Sequence, residues 1–188
     1  MIKFILVNKK LPVGRCGGCP PLERVVSNEV RTRGRLPPHT YGVKMKILVS
    51  ACLVGDNCKY NGGNNLNERL VEFLAAHEVA KVCPEVLGGQ PIPRAPAEIQ
   101  KGQVVNTEGR NVTKEFEAGA QRAFEIVEKE KPDLIILQSR SPSCGIKQIY
   151  DGSFSGRKIE GQGIFAALCI KAGYKVLDIE DIDYFSHN

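Results

Sequence analysis

The sequence predicts an α/β protein: a three-layer α/β/α sandwich around a mainly parallel, Rossmann-like sheet. Short, continuous apolar runs recur along the chain, helical apolar stripes separate them, and glycine- and proline-rich segments fall at the joins. Strands buried on both faces read as unbroken apolar runs, and parallel neighbours need a crossover, usually a helix, between them. A length of 188 residues suits a single domain.

The elements follow in order. Met45-Lys46-Ile47-Leu48-Val49-Ser50 opens the first strand, at residues 47–50. Leu66, Leu70, Phe73 and Leu74 then recur at helical spacing, with Asn65 and Glu68 placed as a capping pair. Residues 79–82 form the second strand and end at Cys83-Pro84. A loop with Pro91, Pro93 and Pro96 follows, and a hairpin is expected around Thr107-Glu108-Gly109. Thr113 is placed to cap a helix whose stripe is Phe116, Ala120, Ala123, Phe124 and Val127, with Glu115 and Glu117 at its positive end. Lys131-Pro132-Asp133 stops that helix, and Leu134-Ile135-Ile136-Leu137 is the clearest buried strand. Residues 139–163 read as a loop, 164–172 as a last helix and 174–177 as a fourth strand.

Charge divides the chain at Met45. The net charge is +5, but residues 1–44 hold nine Lys/Arg against two Asp/Glu, whereas residues 45–188 hold seventeen against nineteen. The body is slightly acidic and carries no basic stripe, so nucleic acid is not an expected partner. Residues 1–44 contain Arg15-Cys16-Gly17-Gly18-Cys19-Pro20-Pro21 and no sustained period. They are read as an upstream leader that the domain at 45–188 does not need. A metal or redox site on Cys16 and Cys19 is the alternative, and a single Cys-x-x-Cys pair supports it weakly. No apolar run approaches a membrane span, and the opening Met1-Ile2-Lys3-Phe4-Ile5-Leu6-Val7 is too short for a secretory signal. The expected compartment is the cytoplasm, where seven cysteines are more apt to bind metal, react or sit in the core than to pair.

Three of those cysteines occupy one architectural position. Cys52 follows the first strand, Cys83 ends the second and Cys144 lies just beyond the third. Open parallel sheets bind ligands outside the carboxyl ends of their strands, so the three converge on one rim. Cys169, inside Phe165-Ala166-Ala167-Leu168-Cys169-Ile170, reads as a core residue. Thiolates select zinc, copper(I) or iron–sulfur clusters. No histidine falls within the three motifs, which gives a mixed Cys/His zinc site little support.

Several ordered motifs carry a resemblance. They are Ser50-Ala51-Cys52-Leu53-Val54-Gly55 with Cys58-Lys59-Tyr60-Asn61-Gly62, Cys83-Pro84-Glu85-Val86-Leu87-Gly88-Gly89 with Pro93-Arg94-Ala95-Pro96, Ser141-Pro142-Ser143-Cys144-Gly145, and Ile149-Tyr150-Asp151-Gly152-Ser153-Phe154-Ser155-Gly156. Together they resemble the thiouracil desulfidase family over residues 45–185, and not over the leader. The resemblance implies a 4Fe–4S cluster held by Cys52, Cys83 and Cys144 with one iron open, and Glu85 and Ser141 as the catalytic pair. It implies a small thiolated pyrimidine as substrate, a hydrolytic conversion of C=S to C=O without net electron transfer, and the iron–sulfur assembly machinery as a partner. Electron transfer or redox sensing on a closed cluster is the alternative function, and a zinc-binding structural domain the second.

The remaining candidates have a bland reading beside the functional one. Cys58 is either a fourth ligand or a spare thiol. Arg94, in a stiff loop, holds a phosphate or pyrimidine oxygen, or is a surface arginine. Tyr60 and Asn61 contact a ring substrate, or Asn61-Gly62-Gly63 makes a turn. Ser153 has the same two readings within its glycine-rich loop. Gly161-Gln162-Gly163-Ile164-Phe165-Ala166 imitates a dinucleotide fingerprint, but Arg157-Lys158-Ile159-Glu160 precedes it where a strand should. It is expected to start a helix tightly, with backbone N–H groups available to an anion.

Overall fold

The computed structural model describes residues 44–185. The expectations about the leader and its Cys16–Cys19 pair lie outside the described residues. In chain order the elements are β1 (Lys46–Ser50), a 3₁₀ turn (Ala51–Val54), α1 (Glu68–Leu74), β2 (Glu78–Val82), α2 (Pro84–Leu87), β3 (Ala97–Gln100), β4 (Gln103–Asn106), α3 (Thr113–Glu130), β5 (Leu134–Leu137), β6 (Gln148–Tyr150), β7 (Lys158–Glu160), α4 (Ile164–Lys171), β8 (Val176–Asp178) and a final 3₁₀ segment (Ile179–Phe185).

The main sheet has four strands in the order β2-β1-β5-β8, all parallel. The order reverses between β1 and β5, which makes the carboxyl ends of these two strands the topological switch point. Alternating side chains of the central strands feed two cores. Ile47, Val49, Leu134 and Ile136 pack with Leu70 and Leu74 of α1 and with Ile179 and Ile182. Leu48, Ile135 and Leu137 pack with Ala120, Ala123 and Val127 of α3 and Phe165, Ala166 and Cys169 of α4. The three layers expected from the sequence are these two cores and the sheet between them, and Cys169 is the fully buried core residue that its apolar context implied. Burial pushes its thiol up to about 12.

Helix α2 is only one turn long, and α3 holds it in place. A Cβ on Gly88 would lie 2.1 Å from the Glu115 carbonyl oxygen, and one on Gly119 would lie 2.0 Å from that of Pro84. The two backbones therefore touch through paired glycines, and this contact sets the height of α2 above the sheet.

Several local expectations are corrected. The cap of α1 is Asn67, whose side chain accepts from the Leu70 N–H at 3.0 Å, while Asn65 instead reaches Gln138 across the switch point at 2.9 Å. Thr113 does not cap α3; it is the first helical residue, and its hydroxyl accepts from the Val104 N–H at 2.9 Å. The main hairpin joins β3 to β4 through Lys101 and Gly102, both at positive φ as a two-residue connection requires. The turn expected at Thr107-Glu108-Gly109 does form, but it leads β4 back to a single bridge between Val105 and Asn111. The segment 139–163 is not all loop, since β6 and β7 pair within it as a second hairpin. Both hairpins lie outside the parallel sheet.

Candidate active site at the switch point

Each of the three rim cysteines is fixed by a different local device. Cys52 lies in the 3₁₀ turn after β1, and its carbonyl accepts from the Asn65 N–H at 2.9 Å. Cys83 is the N-cap residue of α2, with Pro84 at the first helical position, where its missing N–H costs nothing. Cys144 sits in a loop organised by Ser141, whose hydroxyl accepts from the N–H groups of Ser143 at 3.1 Å and Cys144 at 3.2 Å. Ser50 ties the two central strands together, its hydroxyl accepting from the Gln138 N–H at 3.1 Å. Helix α4 rests directly on the Cys144 loop. Its first N–H groups, from Gly163 to Ala166, bond the carbonyls of Gly145, Pro142 and Ser143. At Gly161-Gln162-Gly163, where an anion was expected, the N–H groups of Gly161 and Gly163 are instead engaged by the carbonyls of Lys147 and Gly145.

Cys52, Cys58, Cys83 and Cys144 line a single cavity of about 590 Å³, together with Glu85, Arg94, Ser141, Tyr60 and Glu98. Among the described residues no histidine lines it. All four thiols are free. Hydrogen bonding to Cys52, together with burial, pushes the Cys58 thiol up to about 11, although a bond with Cys83 works against this. Cys83 is raised by its contact with Cys58 and by burial. Cys144 is raised by complete burial, opposed by a hydrogen bond from Ser50. In a metal-free site the Cys83 and Cys144 thiols stay protonated near neutral pH, and metal binding through them would release protons. Among the described residues no three or more His, Cys, Asp or Glu side chains are arranged around one metal ion.

Glu85 stands on the first turn of α2, two residues beyond Cys83. Arg94 Nε donates to Glu85 Oε2 at 2.9 Å, and Nη2 lies 2.8 Å from the same oxygen. The side chains are 6% and 16% exposed, so this is a buried pair. Arg94 Nη2 also donates to the Cys58 carbonyl at 2.9 Å, and Nη1 to that of Pro91 at 3.2 Å. The other carboxylate oxygen, Oε1, faces the hydroxyls of Ser141 at 3.4 Å and Ser143 at 3.5 Å.

The expected site residues thus divide. Cys52, Cys83, Cys144, Glu85, Ser141, Tyr60 and Arg94 come together in one cavity. Arg94 is neither a surface residue nor free to meet an anion, because its donors are engaged by Glu85 and two carbonyls. Asn61 and Ser153 do not line the cavity. Asn61 is exposed and accepts from the Gly63 N–H at 3.1 Å, which is the turn reading. Ser153 bonds Asp151 and Ser155 within its own loop. The sequence reading missed Glu98, Tyr150 and Phe154, which also line the cavity. A lone aromatic between glycines and serines was the available signal for Phe154. A larger open cavity of about 740 Å³ lies beyond Arg140, but it holds no thiol, and its Arg140 and Glu180 pair with each other.

Thiols, a carboxylate and a serine gathered at the carboxyl rim of a doubly wound sheet define an α/β protein that presents soft sulfur donors to a cavity. Comparison with known proteins makes this specific. The chain belongs to the 2-thiouracil desulfurase family, whose sequence model matches residues 47–181. It is 37% identical to protein YbbK of Bacillus subtilis (strain 168) over 147 residues, covering 73% of this chain and 97% of that one. Among solved structures it is similar to the 4Fe–4S-dependent thiouracil desulfidase TudS, with a TM-score of 0.69 and 35% identity over 76% of this chain and 96% of that one. Among the described residues no helix is long and apolar enough to cross a membrane.

Proposed function

We propose that this protein converts the thiocarbonyl of a thiolated pyrimidine, 2-thiouracil or a thiouridine nucleotide, to a carbonyl with release of hydrosulfide. The observation that carries the reading is the division of the Glu85 carboxylate: Arg94 immobilises Oε2, and Oε1 is left facing Ser141 inside a cavity lined by four thiols. The donor set fits a 4Fe–4S cluster, being made of soft thiols carried by separate elements with no histidine among the described residues that line the cavity. Cys52, Cys83 and Cys144 would hold it, loaded by the iron–sulfur assembly machinery. When bound, it supplies a Lewis-acidic iron without a protein ligand, suited to the soft sulfur of a thiocarbonyl.

The chain's own groups do the rest. Glu85 Oε1 takes a proton from a water, whose oxygen attacks the thiocarbonyl carbon. Ser141 accepts two backbone N–H bonds, which leaves its own proton to orient that water or Glu85. A C–O bond forms and the C–S bond breaks; water enters, and hydrosulfide and a proton leave, with no electron transferred. Burial of the Glu85–Arg94 pair keeps bulk water from competing for the carboxylate.

The test is anaerobic reconstitution followed by assay with 2-thiouracil in isotopically labelled water. Hydrosulfide and labelled uracil should appear in equal amounts without a reductant. Unlabelled uracil, or a stoichiometric need for reductant, would sink the hydrolytic reading. The fourth thiol in the cavity favours one competing reading, a closed centre with Cys58 as fourth ligand that transfers electrons.

A further inference from the structure

One bulky residue on the cavity wall is held in a backbone conformation that suits glycine. Phe154 has φ +58°, in the left-handed region, where a β-carbon crowds the backbone and large residues are rare. Such outliers persist only when surrounding structure over-determines them. The support here is Glu98, a buried carboxylate on β3. Its Oε2 accepts from the N–H groups of Gly152 and Phe154, both at 3.0 Å. Gly152 lies so close to β3 that a Cβ would meet Gln100 Cβ and the Ile99 carbonyl oxygen at 2.8 Å. Gln100 closes the attachment by donating to the Gly152 carbonyl at 3.2 Å.

This construction does not serve a core. Phe154 is 39% exposed and belongs to none of the three buried apolar clusters. Its place is on the wall of the thiol-lined cavity, which Tyr60 and Tyr150 also line. A strained, pinned and half-bare ring at a reaction cavity is a preformed stacking surface, since every heteroaromatic ring has a π-face to offer.

We propose that Phe154 is the ring-recognition wall of the site, selecting planar heteroaromatic thiocarbonyls over acyclic ones; this rests on the desulfidase reading. Stacking acts on the ring rather than on the reacting bond, so its loss shows in binding and not in the chemical step. Glycine adopts the same backbone without strain. In the reconstituted full chain, Phe154→Gly should therefore keep its iron content and melting temperature, while KM for 2-thiouracil rises roughly 5- to 100-fold with kcat little changed. Uracil, which carries no sulfur, should lose calorimetric affinity by a similar factor. Turnover of the acyclic thioamide thioacetamide should be unaffected, and Phe154→Tyr should restore both ring parameters. Unchanged KM and uracil affinity in Phe154→Gly would overturn the proposal, as would an equal loss for thioacetamide or a drop in melting temperature with loss of iron. Normal 2-thiouracil turnover with an indifferent Phe154→Gly defeats this inference alone. A wild-type protein that neither releases hydrosulfide nor binds uracil defeats the desulfidase reading and this one with it.

Discussion

Arg94 grips one oxygen of Glu85 from two nitrogens, at 2.9 and 2.8 Å, and leaves the second oxygen to Ser141. The same guanidinium reaches the Cys58 carbonyl. One planar fork thus ties the loop bearing Cys58 to the helix bearing Glu85, a geometry that the point charge of lysine does not reproduce.

Removing the fork should cost both stability and rate. Arg94→Met leaves the Glu85 carboxylate without its partner in a site 16% exposed. Breaking a buried pair in this way costs about 3–5 kcal/mol, which lowers the melting temperature by roughly 10 °C in a domain of this size. Arg94→Lys should recover part of the melting temperature but little of kcat. Full kcat in Arg94→Lys, measured per bound iron, would show that the fork does not position Glu85.

Glu85→Gln keeps the shape of the side chain and cannot act as a base. It should retain a normal cluster absorbance while desulfidation slows by roughly 10²–10⁴-fold. Near-normal turnover would remove Glu85 as the base, and joint loss of cluster and activity would make it structural.

Ser141→Ala is expected to behave differently, because the Ser141 hydroxyl accepts from both Ser143 and Cys144 N–H groups. Without it two amides beside the Cys144 thiol lose their partner, at about 1–3 kcal/mol for each one left unsatisfied. Iron content should fall together with turnover, whereas Ser141→Thr should keep the iron. A Ser141→Ala protein with full iron would show that the hydroxyl does not organise the Cys144 loop.

Cys52→Ala, Cys83→Ala and Cys144→Ala should each lose most of their iron after anaerobic reconstitution, and Cys58→Ala and Cys169→Ala should keep it. Iron loss with loss of turnover in Cys58→Ala would point to the closed centre instead. A chain beginning at Met45 should fold, load iron and turn over like the chain of 188 residues. Insoluble protein or a missing cluster in that shorter chain would show that residues 1–44 belong to the working molecule.

What the sequence made legible was whatever a periodic apolar signal carries. β1 and β5 are buried at nearly every position and read as strands directly. β7 is exposed along its whole length, so its residues lack that signal and passed for loop. The motif cysteines were legible because strand ends in a parallel sheet share a rim. Asn61 and Ser153 were not separable from turn formers, since both chemistries use the same residue types. Glu98 was invisible for a related reason: a carboxylate in a short strand gives no hint that it is buried until the two amides it receives are placed in space. The engagement of Arg94 by Glu85 likewise depends on where the proline-rich loop lands.

Helix α2 has four residues, too few to form alone, because helix nucleation is unfavourable at that length. The backbone contact between Gly88 and Gly119 holds it, so Glu85 borrows its orientation from α3, a helix with no residue on the cavity wall. Tolerance to mutation should follow that debt rather than distance from the chemistry. Gly119 should tolerate no larger residue, because a Cβ there would meet the Pro84 carbonyl oxygen at 2.0 Å, and exposed Arg122 of α3 matters too, since it donates to the Leu87 carbonyl of α2. A directed-evolution library confined to cavity-lining positions would therefore reach Arg94 but leave untouched Gly119, the position that seats the helix carrying Glu85.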